Sequence, residues 1–158
     1  MLYFVLKFAH IIGATVLLGT GAGIAFFMLM AHRTGRAQTV ADVARIVVIA
    51  DIVFTATAVI AQPITGLGLA QTVGYPLTQG WIVVSMILYL VTGAFWLPVV
   101  WMQSRMQKLA ASAAAEGQPL PAAYHRLFRW WFAFGFPAFA AVIGIFWLMI
   151  TRPPFEVF

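Results

Sequence analysis

Cysteine is absent from the chain, which excludes disulfides, thiolate metal sites, iron–sulfur clusters and covalent c-type haem in one step. Any metal chemistry falls to His, Met or carboxylate. Charge is scarce too: 8% of the 158 residues are charged, only four of them acidic, while 63% are hydrophobic. A soluble domain of this length has too little interior to hide so much apolar surface. The mean hydropathy of +0.98 places the chain in a bilayer, where a spanning helix needs about 20 mostly apolar residues. Four such spans with short connections fill the sequence and leave no room for a separate soluble domain. The net charge of +5 is not a nucleic-acid signal, because the basic residues sit in connections beside apolar runs, where they set topology.

Four apolar segments predict an all-α, antiparallel four-helix membrane bundle forming a single domain over residues 1–158, with spans at about 2–31, 41–70, 80–102 and 124–150. The first is too long for the apolar region of a secretory signal, about 7 to 15 residues, and reads as a retained helix. Pro63 is expected to kink the second span and Pro137, beside Gly135, the fourth. The stretch from Leu109 to Ala115 reads as a short helical extension that breaks at Glu116, Gly117 and Pro119. Arg33, Arg36 and Arg45 mark the first connection, Arg105, Lys108, Arg126 and Arg129 the third, and the middle connection, Gln71 to Gln79, is uncharged. Because Lys and Arg collect in cytoplasmic connections, both termini are expected outside, against the minor votes of Lys7 and Arg152.

Polar residues inside the spans are where function is sought, since a charge at the bilayer centre costs roughly 2.5–3.5 kcal/mol on insertion scales. Asp51, Thr55, Gln62 and Gly66 share one face of the second helix, and Ser85, Tyr89, Thr92 and Trp96 share one face of the third. The two stripes are expected to face each other. Asp51 and Tyr89 are the catalytic candidates. His10 lies roughly 10 Å from the bilayer centre, level with Gln62, Ser85 and Met86, and Gly13 and Gly21 on its own face leave room for a flat ligand. Either His10 is a packing residue bonded to Gln62 or Ser85, or it is an axial haem ligand. Met86 is then a gap-filler or a second ligand. His32 and His125 meet at the other boundary, about 33 Å from His10. They are ordinary interfacial residues or an alternative haem site, with Arg33, Arg126 and Arg129 taking the propionates. Gly19 and Gly23 form a GxxxG packing pair.

The opening YFVLKFAHIIGATVLLGTGAGIAFFMLMAHRTG resembles the first helix of the HemJ-type membrane proteins, with their Leu-Lys-x-x-His-Ile start and a later histidine. The ending YHRLFRWWFAFGFPAFAAVIGIFWLMITRPPF is similar in its Arg-Phe-aromatic opening and Pro-Phe close. Over the whole chain, including ADIVFTATAVIAQPITGLGLA and GAFWLPVVWMQSRM, the sequence resembles more closely a family of small bacterial inner-membrane proteins of unknown function. The HemJ resemblance implies an oxidoreductase binding haem b that oxidises protoporphyrinogen IX and passes electrons toward the respiratory chain. It rests on Lys7, His10, His32 and the Arg126 region; the second helix and the proline within 95–99 depart from it. Under that reading Gln62, Ser85 or Tyr89 tune the haem by hydrogen bonding, the partners are the lipid bilayer and a porphyrin or quinone, and the chain works as a homo-oligomer or in a larger complex. The rival expectation is a haem-free accessory subunit, or a small carrier using Asp51 for protons.

Overall fold

A computed structural model describes residues 1–154; Phe155, which closes the C-terminal motif, lies outside them. Four long helices follow one another: α1, Leu2–Arg33; α2, Ala37–Val73; α3, Gly80–Ala115; and α4, Ala122–Thr151. All four are long and apolar enough to cross a membrane, and no strand forms among the described residues. Their outer surfaces carry large apolar side chains such as Phe8, Ile60, Leu90, Phe136 and Trp147, each more than 60% exposed. Water would penalise that surface heavily and lipid does not. The chain is therefore a multi-pass membrane protein built as a four-helix bundle.

The helices outrun the expected spans at their ends. α2 begins at Ala37 rather than 41, and α3 runs past Met102 without a break to Ala115, a length of 36 residues or about 54 Å. Hydropathy marks only the part of a helix that lipid touches. Arg105 and Lys108 end the apolar run without ending the helix, because Ala, Lys, Arg and Gln propagate helix well in water. The break comes where expected: Gly117, at φ +63°, turns the chain, and Pro121 precedes the first residue of α4.

One end of the bundle gathers the basic connections and the other the uncharged turn. At this neutral end, Gly74 takes the left-handed conformation (φ +82°) that closes α2, with the Gly74 and Tyr75 amides on the Ala70 carbonyl. Arg152 closes α4 there and reaches back to the Tyr75 hydroxyl at 3.1 Å. The apolar core sits toward the basic end, where Met28, Val40, Ala44, Met106, Ala110 and Tyr124 are wholly buried. Toward the neutral end, α2 packs mainly on α1 and α3 on α4. Most buried positions there are small, as at Gly13, Ala58, Ala70, Ser85 and Ala141. The two pairs are thus clamped together at the basic half and meet more sparsely above it.

Candidate functional site

The α-helical ladder of α2 is interrupted by a single π-helical turn, Asp51–Thr55, in which the Ala56 amide bonds the Asp51 carbonyl five residues back. Such turns are rare and favour functional sites. Asp51 and Thr55 both point inward, 3% and 5% exposed. The indole Nε1 of Trp96, from α3, donates to Asp51 Oδ1 across 3.4 Å, and Thr55 and Gln103 stand beside the same carboxyl. Among the described residues Asp51 has no cation as a partner. Among the described residues, Asp51 Oδ2, Thr55 Oγ1 and both amide atoms of Gln103 have no hydrogen-bond partner, although Gln103 is only 1% exposed. An unsatisfied buried polar atom costs about 1–3 kcal/mol. Three of these atoms, on Thr55 and Gln103, stand beside the Asp51 carboxyl, whose Oδ2 is the fourth, and the cluster is the candidate place for a proton or a small polar partner.

The two polar stripes do face each other, joined by Trp96 to Asp51 and, nearer the neutral end, by Tyr89. The Tyr89 hydroxyl donates to the Val59 carbonyl at 2.6 Å. Val59 is four residues before Pro63, and proline has no N–H to give to that carbonyl. Tyr89 thus replaces the bond that Pro63 removes, which gives this catalytic candidate a structural task. Ser85 and Thr92 turn their hydroxyls back onto the Trp81 and Leu88 carbonyls of their own helix.

His10 is seated between α1 and α2. Gln62 donates to the His10 carbonyl at 2.9 Å, and His10 Nδ1 lies 2.9 Å from the Thr65 hydroxyl. That hydroxyl also lies 2.8 Å from the Ala61 carbonyl and 3.2 Å from the Gln62 carbonyl. When the Thr65 hydrogen goes to one of those carbonyls, Nδ1 donates to Thr65 and Nε2 keeps its lone pair. The room expected beside His10 is used differently. The Gln62 amide fills the Gly13 face and the imidazole fills the Gly66 face; Gly21 is open, with nothing within 4 Å of its Cβ position. As packed, the space between His10 and Gly13 does not fit a macrocycle. Ser85 bonds its own helix, and Met86 is 40% exposed on the outer surface; neither makes a hydrogen bond to His10.

At the basic end His32 and His125 come together as expected, ring centroids 5.7 Å apart. His32 stacks flat on Phe128 at 3.7 Å and 6°, and its Nδ1 meets the buried Tyr124 hydroxyl at 3.2 Å. Phe128 and Tyr124 make the surroundings of His32 aromatic, while His125, Arg33, Arg126 and Arg129 are exposed. Among the described residues no group of three or more His, Asp or Glu side chains is placed to hold a metal ion together.

Gln103 and Thr65 are site residues that sequence reasoning overlooked. Gln103 falls seven residues after Trp96, so it extends the Ser85, Tyr89, Thr92, Trp96 stripe in register, but Arg105 and Lys108 made its surroundings read as a connection. Thr65 is one residue from the Gly66 stripe and carried no signal of its own. No curated protein and no solved structure matches the chain. A family model does match, over residues 4–153, almost the whole length. The chain belongs to the family described as predicted integral membrane protein DUF2269.

Proposed function

We propose that this protein is a small proton-coupled membrane carrier in which the Asp51 carboxyl takes up and releases the proton. The supporting observation is the setting of that carboxyl: deep in the span, at a π turn, without a cation, and ringed by unpartnered atoms of Thr55 and Gln103. A neutral and an ionised acid differ by several kcal/mol in such a place, so a change of protonation is coupled to how the surrounding side chains pack. Trp96 and the Gln103 amide supply N–H groups that stabilise the ionised form, and the Gln103 and Thr55 oxygens accept from the protonated one. Toward the basic end Met28, Val40, Ala44 and Met106 are wholly buried, so the route proposed for the proton runs from the neutral end. In proteoliposomes, an imposed pH gradient is expected to drive proton uptake by the wild type and not by Asp51→Asn, with Asp51→Glu retaining part of the rate. Uptake by Asp51→Asn at the wild-type rate would refute the proposal.

A second reading, a b-type haem protein, is favoured by one observation: the Thr65 hydroxyl holds His10 Nδ1 at 2.9 Å, which in the Nδ1–H tautomer leaves the Nε2 lone pair for a metal, as outer-shell hydrogen bonds do for metal-binding histidines. Haem would bring electron transfer or porphyrin oxidation; His10 would hold the iron, with Gln62 displaced from Gly13. Protein purified after expression with ample haem is then expected to show a Soret band lost in His10→Ala and kept in His32→Ala and His125→Ala. A colourless wild type counts against this reading and leaves the proton carrier untouched.

A further inference from the structure

We propose that a groove on α4 lined by Arg126, Arg129, Trp130 and Ala133 seats the headgroup of an anionic phospholipid at the basic end of the bundle. The four positions fall at steps of three, one and three, so they form one stripe along the helix, and they line an open groove of about 380 Å³. All four are exposed, while Phe128 and Trp131 turn inward to the core. The stripe therefore faces lipid.

Charge complementarity identifies the occupant. Among the described residues, the arginine whose side chain reaches a protein hydrogen-bond acceptor is Arg152, at the opposite end. The acidic residues near the basic end are engaged elsewhere: Asp42 accepts from Gln38, and Glu116 from Ser112. Arg126 and Arg129 thus lie one turn apart with no carboxylate to answer them, spaced to share one phosphodiester from two sides. A soluble phosphate would use only that lower part. Trp130 and Ala133 carry the groove to roughly 6 Å beyond Arg129 into the span, with Trp130 held edge-on to Phe134 at 5.9 Å. That upper part is apolar and, at Ala133, shallow-walled, which suits the start of an acyl chain. A molecule with an anionic head and an apolar tail uses the whole groove.

The test is the thermal midpoint of the full chain in mixed micelles with phosphatidylglycerol or phosphatidylcholine. Phosphatidylglycerol is expected to raise the wild-type midpoint by several degrees over phosphatidylcholine. Arg126→Gln/Arg129→Gln should lose most of that rise, whereas Arg33→Gln/Arg36→Gln, which removes equal charge from the same end, should keep it. Equal losses in the two double variants would mean general electrostatic attraction and overturn the site. So would inorganic phosphate reproducing the rise, since the apolar half would then be idle. If the first double variant does not fold, native mass spectrometry of the wild type decides: retention of phosphatidylglycerol through micelle release over phosphatidylcholine supports the groove, and equal retention of both overturns it.

Discussion

Gly66 sets how closely α1 and α2 approach, because a methyl group there would stand 3.1 Å from Cε1 of His10. The ring cannot swing away freely, being tied to Thr65 through Nδ1. Gly66→Ala is thus expected to destabilise the bundle by about 1–2 kcal/mol, the range of modest overpacking, against a gain of under about 1 kcal/mol in helix propensity. Gly21→Ala is the control, since nothing lies within 4 Å of its Cβ position; it should be neutral or stabilising. Denaturation in mixed detergent reads both, and a Gly66→Ala protein as stable as Gly21→Ala would show that the contact is not tight. Why a glycine stands at Gly66 was half legible in the sequence: its place on the inward stripe was readable, its histidine neighbour was not, because that pairing joins residues far apart in the chain.

Within α2, a proline and a tyrosine from another helix act as one unit. If Tyr89 serves the carbonyl that Pro63 leaves unbonded, then Tyr89→Phe should cost more in the native chain than in a Pro63→Ala background, where the alanine N–H can serve Val59 instead. The expected coupling is about 0.5–1.5 kcal/mol, the scale of hydrogen bonds inside membrane proteins, read by a double-mutant cycle in detergent. Additive effects would separate the two residues. The helices themselves were legible because apolar runs of spanning length leave few alternatives, and the stripes were legible because polar residues at steps of three and four stand out on that background. Three features were not. The π turn at Asp51–Thr55 leaves no mark in composition, the start of α2 and the unbroken passage of α3 from Met102 into its extension lie where hydropathy no longer reports, and the inward face of Gln103 was masked by its charged neighbours.

Across the whole molecule, a packed basic half and a sparser neutral half make a bundle sealed at one end, with Asp51 near the junction. The charge distribution predicts which end faces the cytoplasm. Because the chain has no cysteine, single cysteines introduced at Ala115 and at Tyr75 can be labelled without background; an impermeant reagent added to whole cells is expected to reach the Tyr75 site and not the Ala115 site, and the reverse would invert the topology. The central claim, that Asp51 is the proton-exchanging group, is met most directly by infrared difference spectroscopy of the reconstituted protein between acidic and alkaline pH. A carboxylic-acid C=O band that gives way to a carboxylate band in the wild type, and is missing from the same difference spectrum of Asp51→Asn, is the result expected. Wild-type and Asp51→Asn difference spectra that superimpose would contradict it.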